Sequence, residues 1–427
     1  MAVSPPHFLV VGAGAAGLMA GAELAHAGRR VTILEARQRC GGRIWALPET
    51  EFGYPAEGGA EFVHGPAPLT RALMRAAGLR LAPRRGSRWT ARAGKFVQDE
   101  PGFPHAGRFY RALEAVQTDL PIAEFLDRHF ADRSYEGLRR AVTRRVEGYD
   151  AADPGRASTL AIREEWMDRR SGQGGQIAEG YGALVAHLAA ACRRDGGVIE
   201  LGAAVAALEA GGGRIAAHCS SGAVFEADAA ILTVPPPLLR EIALPPSARG
   251  RAAAAADIGF GNVVKILLRF ASKWWAEAAG RDLGDLSFLF SGAAVPTWWT
   301  QHPAQHPVLT GWYAGPKADR VAHLDEPKLV EMGLASLAES FDLPPERLRQ
   351  NLVAARAIDW GTDPFARGAY SYATPETRAA LSVLKRREGD GIFFAGEALY
   401  AGPDMGTVEA ALASAHEAVQ AIRAEAS

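Results

Sequence analysis

Phe8-Leu9-Val10-Val11-Gly12-Ala13-Gly14-Ala15-Ala16-Gly17 is the stretch whose reading decides the fold. An apolar run passes directly into glycines spaced Gly-x-Gly-x-x-Gly, small helix formers follow, and a second apolar run, Val31 to Leu34, ends at Glu35. Gly12 permits a tight strand-to-helix turn, and Gly14 lets the backbone approach a pyrophosphate. Gly17 lets the helix lie close on the strand, while the helix start at Ala15 and Ala16 offers free N–H groups to phosphate charge. Glu35 stands eighteen residues beyond Gly17, at the carboxyl end of the second strand, where a carboxylate accepts hydrogen bonds from ribose hydroxyls. A bare Gly-x-Gly-x-x-Gly is a common glycine turn. Strand before, helix after and acid at this distance together predict dinucleotide binding, without separating NAD from FAD.

The residues after the acid make that separation. Glu35-Ala36-Arg37-Gln38-Arg39-Cys40-Gly41-Gly42-Arg43 brings two glycines and an arginine fork to where a pyrophosphate would lie. The alternative is a surface loop with scattered arginines. The run resembles the second signature of FAD-dependent amine oxidases, which points to FAD.

At 427 residues the chain is too long for one ordinary core, and 48% apolar content with 47 glycines suits an α/β protein with many tight turns. A formal net charge of −1 leaves no electrostatic footprint for nucleic acid or an anionic membrane. Arg139, Arg140, Arg144 and Arg145 read as a solvated helix face. No apolar run approaches the roughly 18–20 residues of a membrane span. The opening Met-Ala-Val-Ser-Pro-Pro leads straight into the first strand, so no signal peptide is expected. Cys40, Cys192 and Cys219 are odd in number and lack metal spacing, which predicts reduced thiols, a cytoplasmic location and no metal site.

Along the chain, Phe52 to Gly65 reads as strand and loop, Leu69 to Ala77 as helix, residues 79–98 as a hairpin, and 108–170 as mostly helical. The glycine-rich stretch from Ser171 to Tyr181 marks a return, followed by a helix from Gly182 to Arg194 and a strand from Val198 to Leu201. Val205 to Leu208 is expected to continue the sheet edge, and Ala227 to Val234 to form a buried strand closed by Pro235-Pro236-Pro237. Gly261 to Phe270 reads as a strand, with further strands around Trp274, Phe288, Trp298 and Val308. Leu329 to Phe341 reads as a helix, Gly391 to Glu397 as a strand ending in a turn, and Thr407 to Ala424 as a long Ala-rich helix. The expected architecture is α/β: a Rossmann-like FAD-binding domain from 1–80, 173–240 and 355–427, with an inserted mixed-sheet and helical substrate domain from 81–172 and 241–354.

Blocks at 8–17, 35–43, 57–65, 198–208, 227–239, 259–270, 360–372 and 393–415 together resemble, in order, the flavin-containing amine oxidase family, which includes monoamine, polyamine and L-amino acid oxidases and histone lysine demethylases. The resemblance implies FAD contacts at Glu35, Ala36, Arg37, Gly42, Arg43, the turn Gly59-Ala60-Glu61-Phe62, Val205, Gly396-Glu397 and Gly406-Thr407-Val408. It also singles out Lys265. A lysine within Val263-Val264-Lys265-Ile266-Leu267 must snorkel, pair or work, because an unpaired buried charge is costly. The family places a lysine here, bonded through water to flavin N5 and assisting the reaction with oxygen; the alternative is a lysine on a solvated strand face.

Trp360 resembles the family tryptophan beside the flavin and Tyr370 one wall of an aromatic cage for the amine, although both are compatible with ordinary core aromatics. Thr407 would stand opposite Tyr370, where monoamine oxidases have a tyrosine, leaving the cage open on one side. Phe365 occupies the position of the flavin-linking cysteine of monoamine oxidases, so the FAD is expected to be non-covalent. The loop Ala60-Glu61-Phe62-Val63-His64-Gly65 lacks the arginine with which L-amino acid oxidases bind a carboxylate; His64 resembles a histidine of animal polyamine oxidases. The expected reaction is hydride transfer from the carbon next to an amine nitrogen to flavin N5, then imine hydrolysis to an aldehyde, with O2 reduced to hydrogen peroxide. The partners are a small-molecule amine and O2, and the chain is expected to be a monomer or homodimer. The rival readings are a flavin desaturase or dehydrogenase of the wider superfamily and a non-catalytic flavoprotein.

Overall fold

A computed structural model describes residues 5–98, 102–168, 173–280 and 282–425. Met1–Ser4, residues 169–170 at the end of the expected helical block, and Ser171 and Gly172 of the glycine-rich return lie outside the described residues.

The chain is a mixed α/β protein. A five-stranded parallel sheet runs in the order Ile392–Phe394, Ala229–Leu232, His7–Val11, Arg30–Glu35, Val198–Leu201. The two-residue period of a strand sorts its side chains. Phe8, Val10, Val31, Ile33 and Ile231 face the helices Ala15–His26, Tyr181–Arg194 and Val408–Glu425, whereas Leu9, Val11, Leu34, Ala230 and Leu232 face the other core. Burial on both faces explains why these strands read as continuous apolar runs. Gly17 fits only as glycine, because an added Cβ would stand 1.9 Å from the Gly12 carbonyl oxygen.

The other core is closed by a separate antiparallel sheet of Val205–Gly211, Arg214–Cys219 and Val224–Ala227. Val205 to Leu208 therefore does not continue the parallel sheet; the chain turns away after Leu201, through the left-handed Gly202, and pairs with its own hairpin partner.

A seven-stranded sheet follows the order Leu352–Asp359, Val263–Phe270, Val308–Ala314, Thr297–Trp299, Leu286–Ser291, Ser87–Arg92, Lys95–Gln98. Its pairings are antiparallel except for Leu286–Ser291 with Ser87–Arg92. The helix Glu326–Phe341 covers the face carrying Val264, Ile266 and Leu268; Val263, Lys265 and Leu267 point the other way. The helices Ala106–Glu114, Ile122–His129, Glu136–Tyr149 and Thr159–Trp166 build their own core around Phe109, Phe125 and Val142.

Several local expectations change. Trp274 starts a 3₁₀ segment, Trp274–Gly280, where its ring packs on Phe270, Trp275 and Phe341. Phe52 ends a helical turn, Glu49–Phe52, rather than a strand. Within 79–98 only Ser87–Arg92 and Lys95–Gln98 pair as a hairpin, while Leu81–Pro83 pairs with Gly175–Ile177. The strand expected from Gly261 to Phe270 breaks at Asn262, whose side chain accepts from the Val263 N–H at 2.7 Å; the piece before it, Gly259–Gly261, pairs with Tyr370–Tyr372.

Candidate active site

The carboxyl ends of the parallel strands open onto a cavity of about 1210 Å³ that continues to the seven-stranded sheet and the helical block. That exceeds the roughly 300–1,000 Å³ of an ordinary ligand pocket and is room for a dinucleotide with a small second molecule. Open α/β sheets place ligands at this edge.

The strand-to-helix turn forms one end. Gly12 has φ +104°, and a Cβ on Gly14 would meet nothing within 4 Å, so the backbone there faces open space. The helix Ala15–His26 has no side-chain cap and no acid in its first turn, which leaves its N-terminal N–H groups for an anion. Glu35 is buried and accepts from the Ala13 N–H at 2.7 Å and the Arg37 N–H at 2.9 Å, so its carboxylate is aimed by the turn it serves. Each oxygen keeps a lone pair for a hydroxyl. Arg37 pairs with Asp363 and lies 5.5 Å from the centre of the Phe365 ring. Arg43 donates to Glu397 at 2.7 Å and to the Ala369 carbonyl at 2.8 Å, while Glu397 also takes the Ser371 hydroxyl. This end fits a dinucleotide: an open glycine cradle, free N–H groups, a cation and a buried acid.

The opposite end carries buried charge. Lys265, with no solvent exposure, donates to Glu61 at 2.7 Å and to the Gly59 carbonyl at 3.0 Å. Burial alone would raise the Glu61 pKa; the Lys265 charge and hydrogen bonds from Lys265, Gln301 and Trp299 overcome it and hold the carboxyl below its ordinary value. Glu57, behind this pair, is pushed up to about 7 by burial, and one of its oxygens has no partner. Arg84 is sandwiched between Phe62 and Phe288, 4.2 and 3.9 Å from the ring centres, with its Nε and Nη1 unpartnered. Burial, then Arg84, lowers the His64 pKa to about 4, so this ring is neutral at pH 7; its Nδ1 lies 3.2 Å from the Tyr149 hydroxyl.

Tyr370 donates to the Tyr149 carbonyl at 2.7 Å and stacks on Trp312, with ring centres 6.4 Å apart and an interplanar angle of 21°. Trp360 donates to the Gly58 carbonyl at 3.2 Å and meets Trp45 edge-on. Near Tyr149 the wall carries Asp150 and Glu165. Burial raises both carboxyls, Glu165 to about 7, and one Asp150 oxygen is buried without a partner.

The cavity brings together Lys265, Trp360, Tyr370 and His64 with Gly12, Gly14, Ala15, Ala16, Glu35, Ala36, Arg37, Gly42, Arg43, Gly59, Ala60, Glu61, Phe62, Val205, Gly396, Glu397, Gly406, Thr407 and Val408. Gly17 stands behind the lining, where it packs helix on strand. Thr407 caps its helix, accepting from the Ala410 N–H at 3.1 Å. Sequence reasoning missed Trp299, Trp312, Arg84, Asp150 and Glu165. Strand alternation held the signal for Trp299, since Trp298 enters the core and its neighbour must face the cavity. Arg145, expected on a solvated face, also lines the cavity and lies 3.9 Å from the centre of the Trp166 ring.

Among the described residues no helix is long and apolar enough to cross a membrane, and no group of three or more His, Cys, Asp or Glu is placed to hold a metal ion.

Comparison with known proteins bears on the chemistry. The family model for flavin containing amine oxidoreductases matches residues 15–423. Polyamine oxidase 4 of Oryza sativa subsp. japonica is 27% identical, across 97% of this chain and 88% of its own. Cyclohexylamine oxidase from Brevibacterium oxydans IH-35A superposes with a TM-score of 0.80 at 21% identity, covering 99% of each chain. Wild-type putrescine oxidase bound to putrescine gives a TM-score of 0.80 at 20% identity, over 98% of this chain and 99% of that one. The chain belongs to the flavin containing amine oxidoreductase family, and is a flavin-dependent enzyme acting on amines.

Proposed function

We propose that the protein is an FAD-dependent amine oxidase of the polyamine-oxidase type. The observation that carries this reading is the continuity of one cavity from the Gly12–Glu35 cradle to Lys265, Trp360 and Tyr370. FAD is held non-covalently by the portion built from 1–80, 173–240 and 355–427, and the amine by 81–172 and 241–354. Held by the Gly12–Glu35 cradle, Arg43 and Glu397, FAD would supply the two-electron acceptor for hydride from the carbon next to the amine nitrogen. Overall the amine gives up two electrons and two protons to become an imine, water cleaves the imine to an aldehyde and releases the nitrogen as ammonia or a smaller amine, and dioxygen takes the electrons and protons to become hydrogen peroxide.

The chain's own part is recognition and positioning. Stacked Tyr370 and Trp312 present electron-rich faces to an ammonium group. Once ionised, Glu165 attracts a cationic substrate, favouring a diamine or polyamine; Asp150, whose carboxyl burial keeps protonated well above its ordinary range, offers a hydrogen bond beside it, and neutral His64 does not repel the cation. Lys265 supports the oxygen half-reaction by stabilising charge that develops on oxygen. We further propose a cytoplasmic monomer or homodimer; three free cysteines suit a reducing compartment.

A second reading rests on Arg84. Its buried guanidinium with unpartnered donors, beside the cavity, favours a substrate carboxylate and hence an amino acid.

The test is to denature the yellow protein with acid and, separately, to mix native protein with amines in air. Flavin should be released into the supernatant, and peroxide should form in equal amount to aldehyde. Colour retained on the precipitate overturns non-covalent binding, and aldehyde without peroxide overturns oxygen as acceptor.

A further inference from the structure

Glu61 falls in the turn expected to touch the cofactor, yet its carboxylate is committed elsewhere. One oxygen takes the Lys265 ammonium at 2.7 Å; the other takes Gln176 Nε2 at 2.7 Å and Trp299 Nε1 and Gln301 Nε2 at 3.0 Å each. A carboxylate offers about four acceptor sites, two on each oxygen; here three donors from two segments crowd one oxygen, and Lys265, from a third segment, takes the other. Lys265 is the mirror case. An ammonium has three donors, two of them used by Glu61 and the Gly59 carbonyl, which leaves one N–H uncommitted in the wall of the cavity.

We propose that Glu61 is a positioning residue for Lys265: it keeps the buried ammonium charged and directs its remaining N–H into the cavity. This rests on the oxygen-side role of Lys265 given above. A buried ammonium without a counter-ion is disfavoured against the neutral amine, and removing one partner of a buried pair leaves the other uncompensated. Among the remaining ionisable neighbours, Glu57 feels the Lys265 charge but replaces Glu61 only in part. Glu57 is pushed up to about 7 by burial and so is half protonated at neutral pH. Arg84 carries the same sign as Lys265, and burial holds the Tyr54 phenol protonated far above its ordinary range. Trp299 donates to the same carboxylate and lies 5.5 Å from Nζ, so the pair is also fastened to the aromatic wall.

The experiment reduces the flavin by light rather than by substrate, so it does not depend on which amine is used. Wild type, E61Q, E61D, K265M and the neutral double variant E61Q/K265M are mixed with oxygen from pH 6 to 9, and the flavin midpoint potential is measured over the same range. In E61Q the reoxidation rate, relative to wild type, should fall as pH rises from 6 to 9, until it meets K265M. The midpoint potential should fall in parallel. E61D, which keeps the charge, should restore the wild-type profile, and the double variant should follow K265M at every pH. A constant E61Q-to-wild-type ratio across the range, in rate and potential, overturns the proposal. If K265M itself reoxidises like wild type, the role of Lys265 fails first. If E61Q does not fold, the same profile read on E61D decides: a K265M-like rate at all pH values would overturn the charge argument.

Discussion

The two ends of the cavity are built on opposite principles. At the dinucleotide end, the cradle itself comes from one turn and its backbone N–H groups, and Glu35 is aimed by the Ala13 and Arg37 N–H groups of the same opening strand–turn–strand unit, while Arg37–Asp363 and Arg43–Glu397 tie that unit to the far end of the chain. At the amine end, Lys265, Glu61, Arg84, Asp150, Glu165, Trp299 and Trp312 converge from strands, loops and helices far apart in the chain. A cradle for phosphate is generic and needs backbone geometry; selection among amines needs side-chain charge held out of water. The first can be carried by a short motif, the second only by the assembled fold.

The sharpest way to break this comparison lies in two glycines three residues apart. Gly17→Val forces a side chain against the Gly12 carbonyl, where even Cβ has only 1.9 Å, and should cost more than about 3 kcal/mol of folding stability. Gly14→Ala meets nothing within 4 Å and should leave the urea midpoint unchanged while reducing flavin content. Equal urea midpoints for the two variants would show that neither glycine separates packing from binding.

At the other end, Lys265→Met keeps the volume of the strand residue and removes its charge. Reoxidation by oxygen should slow about a hundredfold in stopped flow, with anaerobic reduction by amine changed far less. Equal slowing of both half-reactions would mean that Lys265 organises the whole cavity rather than the oxygen step.

Glu165 tests recognition. Burial holds its carboxyl up to about 7, so it becomes anionic as pH rises through that value. KM for a cationic diamine should therefore fall between pH 6 and 8, by up to about tenfold per unit while the acid is mostly protonated, and Glu165→Gln should abolish the fall. The same group stabilises the fold below its unfolded pKa, near 4.3, and that contribution is lost as pH rises through about 7. An unchanged KM profile in Glu165→Gln would remove it from substrate binding.

The smallest effect is expected at the join. Thr407 caps the helix Val408–Glu425 through the Ala410 N–H, and Thr407→Ala should lower stability by about 1 kcal/mol in a denaturant titration, with little change in KM. A large rise in KM would instead make Thr407 a wall of the amine site.

What was legible follows the same division. The parallel sheet could be read because strands buried on both faces must be apolar throughout, and the cradle because three glycines and one acid suffice for it. Lys265 was conspicuous as a charge in an apolar strand, but its partner was not: no spacing rule connects Glu61 to a lysine two hundred residues later. Trp312 and Arg84 look like ordinary residues of a strand and of a hairpin, and Asp150 and Glu165 like ordinary acids in a helical block. Trp274 was read as a strand residue because its aromatic neighbours suit a strand, and tertiary packing on Phe341 overrode that preference. The sheet edge at Val205 was misread because a hairpin after the edge strand has the same alternation as a continuation of it.

Amine oxidation is proposed at the end of the cavity that holds both Arg84 and the Asp150–Glu165 pair. Anaerobic mixing of the purified protein with a diamine, a polyamine, a simple monoamine and an α-amino acid, followed by flavin absorbance, tests it most directly. Bleaching by the diamine or polyamine at the lowest concentration is the predicted result. Bleaching by the amino acid alone, or by none of the four, would contradict it.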